Sequence, residues 1–182
     1  MKAKNLDRQV ESSAPGPVHG KTSAIVRGSE LWKIRRVLAA HQFPPQIVRR
    51  VPTSFDGKDW LFEIKHDGFR MLAIRDGGPT RLFTRNGYDF TRRNRLIAAA
   101  LDAFPVERFV LDGELVVLDD DGRSNFAKLA HGRTGTHYFA FDLLLLGDAD
   151  LRPKPLDVRK ATLATLLQGC RRTGPLLRLY RG

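Results

Sequence analysis

Short alternating runs closed by glycine-bearing turns fill the middle of this chain and leave little choice in how it can fold. His66-Asp67-Gly68 follows Trp60 to Lys65, Gly77-Gly78-Pro79 follows Phe69 to Ile74, and Asn86-Gly87 closes Arg81 to Arg85. Asp119-Asp120-Asp121-Gly122 comes after Arg108 to Leu118. Glycine supplies positive φ at low cost in such turns, so successive runs are predicted to fold back on one another. In the first run Trp60, Phe62 and Ile64 are predicted to share one face, with Leu61, Glu63 and Lys65 on the other. Tyr138 to Leu146 reads as a buried strand with Phe139, Phe141, Leu143 and Leu145 on one side.

Helical periodicity appears between these runs. Ser29 can cap a helix to Leu38, which Pro44-Pro45 stops. Asp89 or Thr91 can open a helix to about Ala103 with Leu96, Ile97, Ala100, Leu101 and Phe104 as its stripe. A short helix is predicted over Asn125 to Leu129. A final one runs from Asp157 to Gln168, with Leu163, Leu166 and Leu167 inward and Gly169 as its stop. Hairpins mixed with helices give an α+β class, mainly antiparallel sheet flanked by helices.

The 182 residues suffice for one core. Residues 1–28 are polar and small and read as a disordered basic tail, leaving 29–182 as the folded part. No apolar run approaches the roughly 18 residues that span a bilayer, and no signal-peptide core is present. A soluble cytoplasmic protein without a membrane partner is the expectation. The lone Cys170 excludes an internal disulfide. Thirty-one Lys and Arg against 20 Asp and Glu give a formal charge of +11. That is the footprint of a nucleic-acid binder, or of an arginine-rich composition alone. Arg92, Arg93 and Arg95 gather near a helix start, as a DNA-backbone contact or a solvated face. The five histidines lack metal-ligand spacing, and no phosphate-cradling Gly-Lys-Ser/Thr loop occurs.

The stretch Glu63-Ile64-Lys65-His66-Asp67-Gly68-Phe69-Arg70 carries the chemistry. It sets a lysine at the end of a strand-like run, beside a tight turn and within reach of an arginine. A lysine amine in water is almost always protonated, with roughly one in a few thousand neutral at pH 7. Making half of it nucleophilic takes a shift of about three units, or ~4 kcal/mol. Desolvation or nearby cations provide this, and Arg70 is the cation at hand.

This stretch resembles the active-site motif of the ATP-dependent DNA ligases, within the lysine nucleotidyltransferases. Thr84-Arg85-Asn86-Gly87, Leu111-Asp112-Gly113-Glu114-Leu115 and Tyr138-Phe139-Ala140-Phe141-Asp142-Leu143-Leu144 resemble the motifs that follow it in order. Asp150-Leu151-Arg152-Pro153-Lys154-Pro155-Leu156 with Arg159 resembles the next stretch. The LDGEL and FDLL contexts resemble DNA ligases more than RNA ligases or capping enzymes. The resemblance runs from about Phe43 to Leu167 and is nearest to bacterial ligases of the end-joining type.

The resemblance implies an adenylation domain that uses ATP and Mg²⁺. Lys65 would capture AMP and pass it on to seal 5′-phosphate to 3′-hydroxyl in nicked or broken duplex DNA during repair or recombination. It implies nucleotide contacts from Glu63, Arg70, Arg85, Glu114 and Phe141, with Glu114 also supporting metal. The residues themselves leave plainer readings open. Glu63 could pair across the hairpin, Arg85 could be an edge-strand arginine, Asp112 and Glu114 a polar strand face, and Phe141 core. The chain ends before the family's Glu-Gly and Lys-x-Lys motifs and its OB-fold domain, so an incomplete adenylation domain is expected. Two readings follow: a ligase impaired by truncation, to which another polypeptide could supply the missing half, or a remnant without catalysis that keeps nucleotide or DNA binding. Weak or absent self-adenylation is the expectation for this chain alone.

Overall fold

The computed structural model describes residues 38–47, 53, 57, 60–134, 137–168 and 177–179. The tail expected over 1–28, nearly all of the helix expected to end at Leu38, and Gly169 lie outside them. The elements are β1 (Phe69–Asp76), β2 (Arg81–Thr84), α1 (Arg95–Asp102), β3 (Arg108–Val116), α2 (Phe126–Ala130), β4 (His137–Leu146), β5 (Ala149–Asp150), α3 (Leu156–Gln168) and β6 (Leu177–Leu179). Single 3₁₀ turns cover Ala40–Gln42 and Thr91–Arg93. Among the described residues no helix is long and apolar enough to cross a membrane.

The sheet order is β2-β1-β3-β4-β5, every pair antiparallel, with β6 parallel to β4. The expected α+β class with a mainly antiparallel sheet is what the chain forms. β1 is buried on both sides, which is why its apolar residues run without a break. Met71 and Ala73 join Leu111, Tyr138 and Leu143 in a layer packed under α1 and α3 through Ile97, Leu101 and Leu163. Leu72 and Ile74 join Phe83, Val110 and Leu145 in a second layer with Phe43.

Several sequence expectations are corrected. Trp60 to Lys65 is not a strand: none of 60–67 is assigned to one. Trp60, Phe62 and Ile64 keep 60%, 53% and 69% of their surface and form no buried layer behind Lys65. Leu96 is 73% exposed, because it stands beyond the margin of the face that Ile97, Ala98 and Leu101 bury on the same helix. Phe139, Phe141, Leu143 and Leu145 do not share a face. The register with β3 slips twice, leaving Leu144 and Phe141 as extra residues, so alternation reverses at each bulge. Tyr138, Ala140 and Leu143 face the helices, Leu145 faces the opposite layer, and Phe141 belongs to neither core.

Candidate active site

On one face of the β1–β3 pair the opposed residues run Ile74–Val110, Leu72–Asp112 and Arg70–Glu114. Apolar core gives way to charge within three cross-strand pairs, and the site begins there. Arg70, Arg85 and Glu114 line one cavity of about 430 Å³, together with Gly68, Thr84 and Asn86 and the rings of Phe69 and Phe90. Three of the six residues singled out from the sequence thus converge.

Arg70 is held firmly. Its Nε and Nη2 donate to the two carboxylate oxygens of Asp112 at 3.0 and 2.7 Å, and Nη1 donates to the Gln46 carbonyl at 2.7 Å. Two parallel charge-assisted bonds fix both distance and plane. Burial pushes the Asp112 carboxyl up, and the Arg70 guanidinium opposes it. Glu114 has no such clasp. Burial pushes it up to about 7, against the pull of Lys65, the Gly68 amide and Arg70. A carboxyl that changes charge near neutrality, inside a cavity lined by two arginines, is suited to a ligand whose own charge varies.

Gly68 serves the site differently from expectation. Its φ is not positive. A Cβ there would lie 2.2 Å from the Leu115 carbonyl oxygen, so glycine is required for close approach of the turn to β3. Gly87 does meet the original expectation, with φ 82° in the turn that carries Arg85 past the end of β2.

The remaining candidates sit around the cavity. The Lys65 side chain is 88% exposed, with Nζ 3.9 Å from Asp67 Oδ1, and it does not line the cavity wall. Its charge nonetheless acts on Glu114. Arg70, which the sequence offered as a cation for Lys65, is instead committed to Asp112. Phe141 lies under Arg70, ring centroid 5.4 Å from Cζ. Glu63 forms an ion pair with Lys160 of α3, and Lys160 Nζ also donates to the Phe141 carbonyl at 2.8 Å. Sequence reasoning missed Lys160, because nothing in its neighbourhood separates it from an ordinary helix-surface lysine. It also missed the pairing of Arg159 with both Asp142 oxygens at 2.9 and 3.0 Å, although both residues stand in the quoted motifs. His66 stacks on Phe139, centroids 3.9 Å apart.

The fold is that of a ligase-type nucleotidyltransferase domain. The ligase domain of M. tuberculosis LigD superposes with a TM-score of 0.56 at 32% identity, over 64% of this chain and 38% of that one. A mycobacterial DNA ligase D solved with ATP gives 0.54 at 34% identity, over the same share of each. In sequence, a multifunctional non-homologous end joining protein LigD of Pseudomonas aeruginosa is 41% identical over 116 residues, 61% of this chain and 14% of the relative. LigD of Mycobacterium bovis is 30% identical over 173 residues, 89% of this chain and 23% of the relative. The chain therefore spans less than a quarter of the length of these relatives. The family model for the ATP dependent DNA ligase domain matches residues 39–174. The chain belongs to the ATP-dependent DNA ligase domain family.

Proposed function

We propose that this chain carries the adenylation chemistry of an ATP-dependent DNA ligase. The observation that carries the proposal is the convergence of Arg70, Arg85 and Glu114 on one cavity next to the turn bearing Lys65. In the proposed reaction the neutral amine of Lys65 attacks the α-phosphate of ATP. A nitrogen–phosphorus bond forms, the bond to pyrophosphate breaks, and the amine proton goes to solvent. AMP then passes to a 5′-phosphate at a DNA break, and attack by the 3′-hydroxyl expels it. Such transfer depends on position and charge stabilisation. Arg85, without an ion pair among the described residues, would meet phosphate. Phe141 and Glu63 would meet the adenine.

Glu114 fits a single-carboxylate metal contact, since it lines the cavity and ionises near neutrality. Among the described residues no group of three or more His, Cys, Asp or Glu could hold a metal by itself. A bound Mg²⁺ would therefore complete its shell with nucleotide phosphates and water, and would neutralise phosphate charge there. Break repair in the cytoplasm, and a second polypeptide completing the site, belong to the same proposal.

Incubation with Mg²⁺ and α-labelled ATP tests it. The expected result is a slow label that survives alkali and is lost in acid, as a nitrogen–phosphorus bond requires, and that Lys65→Ala abolishes. A label no greater than that of Lys65→Ala would overturn the enzyme reading. One observation favours the second reading, nucleotide or DNA binding without chemistry: the Lys65 side chain points largely into solvent. ATP binding without label would establish it.

A further inference from the structure

The arginines among the described residues divide into two sets. Arg70, Arg108 and Arg159 are clasped by aspartates in the body of the fold, and Arg81, Arg123 and Arg152 by exposed ones. Arg75 donates to four main-chain carbonyls. Among the described residues Arg85, Arg92, Arg93 and Arg95 enter no ion pair or side-chain hydrogen bond, and Arg133 acts on the Asp119 carboxylate electrostatically without pairing with it. Random scatter of surplus charge would mix the sets. Instead the described arginines outside any ion pair fall in three pieces of chain, the β2 turn, the entry to α1 and the loop after α2.

A second pocket explains the grouping. It measures about 110 Å³ and is lined by Arg93 and Arg133, with Asn94 and Thr134 as its other polar side chains and no carboxylate. It shares Phe69 and Phe90 with the larger cavity of Arg85 and Glu114. The Arg93 guanidinium lies 5.4 Å above the Phe90 ring, and a Cβ on Gly132 would sit 3.5 Å from its Nη2. Phe69 meets Phe90 edge to face, so the shared wall is braced. Pockets for whole small molecules run to roughly 300 Å³ and more. This one is smaller, carries two cations and no anion, and suits a single anionic group. Arg92 and Arg95 stand beside it, which suits a polymer with repeating charge better than one free ion.

We propose that the Arg93–Arg133 pocket seats a backbone phosphate of the DNA strand whose broken end occupies the neighbouring Arg85–Glu114 cavity. The proposal rests on the ligase reading above and adds a site to it. The phosphate would accept hydrogen bonds from both guanidiniums, with the Phe69–Phe90 wall separating it from the reacting end.

The test uses the full chain and a fluorescent nicked duplex with a 5′-phosphate, titrated between 50 and 200 mM salt. Arg93→Gln/Arg133→Gln should reduce the slope of log affinity against log salt by about two. Arg93→Lys/Arg133→Lys should restore most of it, and Arg123→Gln, which loses only its exposed pair with Asp121, should leave it unchanged. Neutral methylphosphonates placed singly along the strand should weaken the native chain at one or two positions and the double glutamine variant at none of those. An unchanged slope with an unchanged methylphosphonate pattern would overturn the site, as would failure of the native chain to bind the duplex. Scoring the Lys65-dependent label on the same samples separates the two claims. A native chain that takes label without any phosphate position depending on the pair refutes the pocket alone. One that binds through the pair and takes no label supports the pocket and refutes the chemistry.

Discussion

Asp112 draws the guanidinium of Arg70 away from Glu114, although Glu114 is the residue directly opposite Arg70 across the sheet. The diagonal pairing decides the character of both carboxyls. One is neutralised in place, and the other is left to titrate. Asp112→Asn should weaken the clasp and cost about 2 kcal/mol, while Arg70→Met should cost about 3 kcal/mol because it strands a nearly buried carboxyl. In Arg70→Met, Asp112 should stay protonated to higher pH, so the deficit should grow as pH rises. Urea unfolding at pH 5 and pH 8 checks both.

Glu114 gives the fold a pH dependence of definite sign. Its folded value of about 7 lies above the ordinary 4.5, so the native state binds the extra proton. Its contribution to stability should therefore be greatest below about 4.5 and decline as pH rises through 7. Allowing for partial solvent access, the change should be about 2 kcal/mol. Glu114→Gln should flatten this slope, as read by chemical unfolding across the range.

Two glycines should respond oppositely to alanine. At Gly113 a Cβ would lie 2.5 Å from Tyr138 Cζ and 2.6 Å from the Phe139 carbonyl oxygen, inside the β3–β4 ladder. Gly113→Ala should cost at least about 3 kcal/mol. At Gly78 a Cβ meets nothing within 4 Å and φ is not positive. Gly78→Ala should be neutral or stabilising by up to about 1 kcal/mol. Thermal melting of both proteins reads the difference.

Lys160 joins α3 to two nucleotide candidates at once, through the Glu63 carboxylate and the Phe141 carbonyl. Lys160→Met should cost only about 1 kcal/mol of stability. It should weaken ATP binding about five- to tenfold, since both contacts lose their anchor, and a nucleotide titration would show it. Unchanged affinity would mean that neither residue meets the base.

The strands were legible because turn residues stood at their ends, and β1, β3 and β4 fall within a few residues of expectation. The failures share a cause. Period-two reasoning presumes an unbroken ladder, so it could not foresee the bulges that separate Phe141 from Leu143 and Leu145. It also put Trp60, Phe62 and Ile64 on one strand face from their spacing alone, although spacing says nothing about whether a neighbouring element lies against them. Motif order drew attention to Arg70, Arg85 and Glu114, which the fold brings to one cavity. Lys160 and the second arginine pocket depend on contacts between distant segments, and no local pattern encodes those.

The doubled kink in β4 leaves slack in the count of that strand. Removing either extra residue, Phe141 or Leu144, would close its bulge and keep the partners of β3 in register. Asp142 would still meet Arg159, and Leu143 would stay in the helical layer. The ladder should thus survive a deletion at either place, at the cost in the first case of the ring beneath Arg70.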